Sequence, residues 1–73
     1  MANALYHRRV LGEALRIYRK QAGMSQEKLA EKAELNPKYL SEVERGRKTI
    51  SMDALVRIAK SLNIRIRELT LDF

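Results

Sequence analysis

Cysteine is absent from the sequence, and histidine occurs once, at His7. These absences exclude disulfides and a zinc site built from Cys and His ligands, and we expect neither a metal nor another cofactor. At 73 residues the chain has room for one domain with one small hydrophobic core. Because such a core typically supplies only about 3–5 kcal/mol, we expect any further stabilisation to come from a partner subunit.

Long apolar runs are also missing. No segment approaches the roughly 18 apolar residues that span a bilayer, and the N-terminal residues lack the continuous apolar core of a signal peptide. We therefore expect a cytoplasmic protein with no membrane partner. We do not expect an enzyme, because the chain has no cysteine nucleophile, no glycine loop for phosphates and no evident acid–base pair.

Acidic residues are outnumbered by basic ones: 9 Asp and Glu face 15 Lys and Arg, for a formal net charge of +6. Such an excess in a small domain favours a polyanionic partner, DNA or RNA, with an anionic membrane surface as a weaker alternative. Charge alone does not choose among these partners.

Apolar residues recur at helical spacing and predict an all-α fold of five helices. The first helix begins near Ala4, and Gly23 follows its end. Three polar residues suited to N-caps open the next three helices: Ser25, Asn36 and Ser51. Asn63 ends the fourth helix in a left-handed turn, and residues 66–70 form a short fifth. The single domain divides into an N-terminal extension containing His7, a core and an apolar tail: residues 1–10, 11–70 and 71–73.

The connection between the second and third helices is very short, only residues 34–36. A connection this short between two short helices favours a steep crossing, as in a helix-turn-helix. Close crossing requires a small residue on the second helix, and Ala30 stands at a suitable position.

One face of the third helix is entirely polar. At about 100° per residue, Leu40 and Val43 share one side with Glu44, while the opposite side carries Lys38, Ser41, Glu42 and Arg45. A lysine can donate to guanine, and a glutamate can accept from cytosine. Ser41 can bond either way, and Arg45 is better placed for a phosphate. A solvated helix face would look the same, so this feature alone leaves both interpretations open.

Two long segments carry a more specific signal: GEALRIYRKQAGMSQEKLAEKAELNPKYLSEVERG and ISMDALVRIAKSLNIRIREL. Together they resemble the helix-turn-helix domain of the phage repressor and Cro (XRE-type) family over residues 11–70. The resemblance implies a compact five-helix, lambda-repressor-like fold whose third helix enters the major groove of double-stranded DNA, usually as a dimer.

The resemblance also implies roles for individual residues. Gln26, at the start of the second helix, matches a phosphate contact. Lys38 and Glu42 fall among the base-contacting positions. Three residues match positions that contact or skirt the DNA backbone: Arg45, Arg47 and Lys48. Arg19 and Glu44 match a charged pair that ties the first helix to the third, which accounts for Glu44 on the apolar side.

Two further residues of the third helix leave alternatives open. Asn36 either contacts a base or is committed as the N-cap, and Tyr39 either packs or contacts a phosphate. The sequence also departs from the family pattern at three positions. Glu34 replaces the usual glycine of the turn, so a left-handed conformation there would cost about 1 kcal/mol. Pro37 cannot read a base, and Arg65 stands where a capping residue often opens the fifth helix.

The C-terminal segment carries many apolar residues. Some must close the core and the rest are candidates for a two-fold dimer interface: Ile64, Ile66, Leu69, Leu71 and Phe73. The leading hypothesis is a homodimeric regulator of transcription that binds inverted-repeat DNA. The alternative is an antitoxin-type module that binds a partner toxin. The run ERGRKTIS and the short chain look most like the controller proteins of restriction–modification systems.

Overall fold

The computed structural model describes residues 4–71 and contains five helices and no strand within them. The elements follow one another as α1 (Ala4–Gln21), α2 (Gln26–Ala33), α3 (Pro37–Glu44), α4 (Met52–Leu62) and α5 (Ile66–Leu69). The predicted all-α, five-helix fold is confirmed. Among residues 4–71, no helix combines the length and the apolar character that a bilayer span requires.

The predicted caps determine where the helices begin. The Ser25 and Ser51 side chains accept hydrogen bonds from the backbone N–H groups of Lys28 and Ala54. The Asn36 side chain does the same for Lys38, and Pro37 follows at the first helical position. Arg65, in contrast, makes no side-chain cap, so the departure at α5 has a structural consequence in a helix of only four residues.

Two non-glycine residues adopt the left-handed conformation that the sequence predicted. Asn63 ends α4 with φ 56°, and Glu34 follows α2 with φ 58°. In the helix-turn-helix, Glu34 N–H bonds to the Glu31 carbonyl at 3.2 Å, and Leu35 N–H bonds to the Ala30 carbonyl at 2.8 Å. These bonds close the end of α2 and turn the chain sharply into α3.

The core lies between α1, α2, α3, α4 and α5. Its fully buried large side chains are Leu15, Leu29, Leu40, Val43, Ile58 and Leu69. Ala30 is also fully buried, as close crossing in the helix-turn-helix requires.

The first helix begins at Ala4, as the sequence predicts, so residues 4–10 with His7 belong to α1. One expectation about the C-terminal end of the chain changes. Leu69 is only 1 % exposed and closes the core, so it offers no surface to a second subunit and its assignment to a dimer interface is corrected. Phe73, the last residue of the predicted tail, lies outside the described residues.

Candidate nucleic-acid interface

A buried ion pair fixes α3 against α1. Arg19 Nε lies 2.7 Å from Glu44 Oε2, and Arg19 Nη2 donates to Glu44 Oε1 at 3.0 Å. Both side chains are largely shielded, with exposed fractions of 9 % and 2 %. Arg19 also donates to the Met24 carbonyl at 2.8 Å, so the turn after α1 is part of the same arrangement. The bidentate geometry holds α3 in a defined orientation.

Gln26 joins this pair to the start of α2. Its Nε2 donates to Glu44 Oε1 at 3.0 Å, so the side chain matched to a phosphate contact is anchored by the buried carboxylate. Gln26 remains half-buried, and an amide nitrogen carries two N–H donors. The contact therefore orients the amide at the N-terminus of α2 while a second donor remains.

The outer face of α3 is polar, as the sequence indicates. Lys38 and Arg45 are exposed, and Ser41 and Glu42 are half-buried. Asn36 is exposed, but its Oδ1 accepts from the Lys38 N–H at 2.8 Å. The cap therefore uses the oxygen of Asn36, and only its amide nitrogen remains to donate to a ligand.

Two of the predicted DNA-contacting side chains pair with each other. Lys48 Nζ lies 3.7 Å from Glu42 Oε1, with half of the lysine side chain exposed. At 3.7 Å and partly exposed to water, the pair is screened by solvent and holds Lys48 weakly. Its geometry places Lys48 of the loop after α3 beside the polar face of that helix.

Tyr39 links α3 to α4. Its hydroxyl oxygen accepts from the Ser51 N–H at 3.1 Å, and its ring packs against the core. Packing, one of the two alternatives for Tyr39, therefore occurs in the structure. The hydroxyl hydrogen is still able to donate to a phosphate. The bond also closes the loop that carries Arg47 and Lys48, both of which are exposed.

The C-terminal apolar residues take different places. Ile64 and Ile66 are half-buried and pack against the core, whereas Leu71 is 71 % exposed. Tyr18 of α1 donates from its hydroxyl to Glu68 at 3.2 Å, which ties α5 to the first helix. Desolvation, with smaller contributions from this hydrogen bond and the Glu68 charge, raises the pKa of Tyr18 above its usual 10.0.

Sequence reasoning missed the role of two glycines. A Cβ atom on Gly12 would lie 2.5 Å from the Val43 carbonyl oxygen, so α1 crosses the end of α3 at this residue. Gly46 has φ +74°, and a Cβ atom there would lie 2.9 Å from Arg9 Cγ and 3.2 Å from Arg9 Cα, so this glycine lies against α1. Only the crossing of α1 and α3 in three dimensions identifies the contact at Gly12, because nothing in the helical periodicity marks it. The described residues contain no cluster of His, Cys, Asp and Glu that could hold a metal ion.

Comparisons with known proteins agree with this geometry. Residues 15–69 match the model of a helix-turn-helix family, described as "Helix-turn-helix". The chain belongs to this family. The match spans the interval from the middle of α1 to α5, and therefore includes both helices of the motif.

Named relatives are regulators. The chain is 39 % identical to the control protein C.BamHI of Bacillus amyloliquefaciens over 67 residues, covering 90 % of this chain and 82 % of the relative. It is 37 % identical to the control protein C.SmaI of Serratia marcescens over 60 residues, covering 82 % and 71 %. The crystal structure of the restriction–modification controller protein C.AhdI from Aeromonas hydrophila is similar with a TM-score of 0.83 and 37 % identity, covering 85 % of this chain and 94 % of that one.

These findings show a DNA-binding transcriptional regulator of the helix-turn-helix type, similar to restriction–modification controller proteins. The names of these relatives describe control or controller proteins. Neither their names nor the described residues indicate a toxin partner.

Proposed function

We propose that the chain binds inverted-repeat operators in double-stranded DNA as a homodimer, with α3 of each subunit in the major groove. The observation that carries this proposal is the buried Arg19–Glu44–Gln26 arrangement. It joins the N-terminus of α2 to α3 through one carboxylate. A phosphate at the start of α2 would therefore set the position of α3 over the bases.

Four side chains at the start and on the outer face of α3 are assigned to base contacts: Asn36, Lys38, Ser41 and Glu42. Lys38 has an exposed ammonium group suited to the acceptors of guanine, and Glu42 supplies an acceptor for cytosine. Because the oxygen of Asn36 is used as the cap, that residue contributes only N–H donors.

Five side chains around this face are assigned to the phosphates: Gln26, Tyr39, Arg45, Arg47 and Lys48. Three of them are exposed cations, and these lie beyond the C-terminal end of α3 and in the following loop. Gln26 lies at the start of α2, and its amide bonds to Glu44, the last residue of α3. Phosphate contacts from Gln26 and from the three cations would together hold α3 in one register on the duplex.

The dimer interface is assigned to the exposed apolar surface near the C-terminus. Leu71 is the most exposed of the candidates among residues 4–71, with Ile64 and Ile66 presenting partly covered side chains and Phe73 following in sequence. A two-fold arrangement would place the two copies of α3 about 34 Å apart, one turn of DNA.

Sedimentation should give a dimer, and Leu71→Asp should shift the equilibrium toward the monomer. A monomer at tens of micromolar that binds one per site would contradict the dimer.

Selection of bound sequences from random duplex DNA tests the central proposal. We expect an inverted repeat whose half-sites are centred about one helical turn apart. Footprinting on the selected duplex should protect both half-sites. Enrichment of no sequence, or of a single asymmetric site, would contradict dimeric major-groove reading.

Substitutions then separate base contacts from phosphate contacts. Lys38→Ala and Glu42→Ala should each relax preference at particular positions at a cost of about 1–3 kcal/mol for the preferred sequence. Arg45→Gln should instead weaken all sequences to a similar extent. If Lys38→Ala lowered binding to every sequence equally, its assignment to a base edge would be wrong.

A further inference from the structure

Five arginines line one open groove of about 910 Å³ beside the helix-turn-helix: Arg8, Arg9, Arg16, Arg45 and Arg47. The first three lie on α1 and the last two at and after the end of α3. The groove therefore joins a basic surface of α1, which the DNA-binding assignments above leave out, to two proposed phosphate contacts.

The charge in this groove is poorly balanced. Its two carboxylates are Glu13 and Glu44. Glu44 is committed to Arg19, and Glu13 makes an exposed contact of 3.7 Å with Arg16. Within residues 4–71, the remaining groove arginines form no ion pair with a carboxylate: Arg8, Arg9, Arg45 and Arg47. Like charges held this close favour the binding of an anion.

Backbone packing holds the arginines together. Gly12 lets α1 approach the carbonyl groups at the end of α3, and Gly46 lies against Arg9. The Arg8 Nε is buried and has no hydrogen-bond partner among the described residues. The close spacing of the groove arginines therefore follows from the crossing of α1 and α3.

We infer that this groove binds phosphates of the DNA backbone that flank the half-site read by α3. The inference rests on the proposed function, because Arg45 and Arg47 belong to both surfaces. In the groove these two residues lie beside the α1 arginines, so a DNA backbone bound by Arg45 and Arg47 would also be within reach of the α1 side chains. Guanidinium groups present paired N–H donors that match phosphate oxygens, which suits the groove to this ligand.

The test compares two double variants on an operator obtained by selection. Arg9→Gln with Arg16→Gln removes two exposed groove charges and leaves Arg8, whose Nε is buried, in place. Lys60→Gln with Arg65→Gln is the matched control, since both residues are exposed and neither lines the groove. Thermal unfolding and sedimentation establish that both variants fold and assemble as the wild type does.

We expect the groove variant to flatten the dependence of log Kobs on log salt by about 0.9 for each phosphate that it no longer neutralises, so by about 1.8 for two. The control should change this slope by much less, and Arg9→Lys with Arg16→Lys should retain it. Trimming the duplex beyond the half-sites should weaken wild-type binding more than binding of the groove variant, which keeps three of the five arginines.

Equal slopes for the groove variant and wild type, with no response to trimming in either, would overturn the inference. A reduction of binding to anionic phospholipid vesicles with DNA binding unchanged would also overturn it. Failure of the selection to yield any operator would instead refute the proposed function itself.

Discussion

Gly12→Ala offers a sharp test of how α1 is placed against α3. In the interior of an exposed helix, replacing glycine by alanine stabilises by roughly 0.5–1 kcal/mol through backbone entropy. At Gly12, however, the new Cβ would lie 2.5 Å from the Val43 carbonyl oxygen and 2.6 Å from that of Glu44. Both are backbone atoms, so neither can move aside by changing rotamer.

The helices must therefore separate. Overpacking of this kind costs about 1–3 kcal/mol, which exceeds the entropic gain and reverses the sign of the effect. Small domains have stabilities of roughly 0.05–0.15 kcal/mol per residue, so the destabilisation is a large share of the total. A net destabilisation of about 1 kcal/mol corresponds to a fall in Tm of about 4–8 °C.

Circular dichroism during thermal and urea unfolding measures this change. Gly23→Ala is a useful control, because a Cβ there meets nothing within 4 Å and the only cost is the positive φ of +72°. The two variants should differ in DNA binding, since only Gly12→Ala displaces α1 from α3. A Tm for Gly12→Ala equal to or above wild type would refute the crossing geometry.

Three further predictions follow from particular contacts. Glu44→Ala leaves the Arg19 guanidinium buried without its carboxylate and should cost about 3–5 kcal/mol in chemical unfolding, whereas joint replacement of the pair by Leu and Met should recover much of that stability. Ser51→Ala removes the α4 cap and should cost about 1 kcal/mol, while Ser61→Ala, which removes only an exposed hydroxyl bond, should cost less. The folded-state pKa of Tyr18 is raised above 10.0, so the stabilising contribution of its neutral hydroxyl is present below pH 10.0 and is lost as pH rises above that value. Unfolding midpoints of wild type should thus decline more steeply above pH 10.0 than those of Tyr18→Phe, and parallel declines would contradict this.

Local rules were sufficient for most of the fold. N-capping side chains at Ser25, Asn36 and Ser51 act over three residues, so the sequence identifies them directly. The left-handed conformation at Glu34 was expected from the family resemblance, because Glu34 stands where the family usually has a glycine in the turn. These features depend on neighbours along the chain and need no tertiary information.

Tertiary contacts explain what was missed. In the sequence, Gly12 is only a residue of low helix propensity. Its role becomes evident from the carbonyl groups at the end of α3, which lie beside it in the fold. The apolar character of Leu69 was visible, but its burial depends on the path of α5, which has only four residues and no side-chain cap. The five-arginine groove could not be predicted from the sequence either, because it combines residues of α1 with residues far along the chain.

The Glu42–Lys48 pair has a specific consequence if α3 enters the major groove as proposed. A carboxylate near phosphates is repelled, so Glu42 would weaken binding wherever no cytosine amino group meets it. The pair is long, at 3.7 Å, and half of its lysine is exposed to water, so Lys48 would readily exchange Glu42 for a phosphate. Glu42 would then be without its neutralising partner at the moment when the duplex arrives. Its role would therefore be to reject incorrect sequences more than to add affinity for the correct one. Glu42→Gln should accordingly tighten binding to unrelated duplexes while narrowing the difference between operator and non-operator DNA, and a uniform loss of affinity would count against this role.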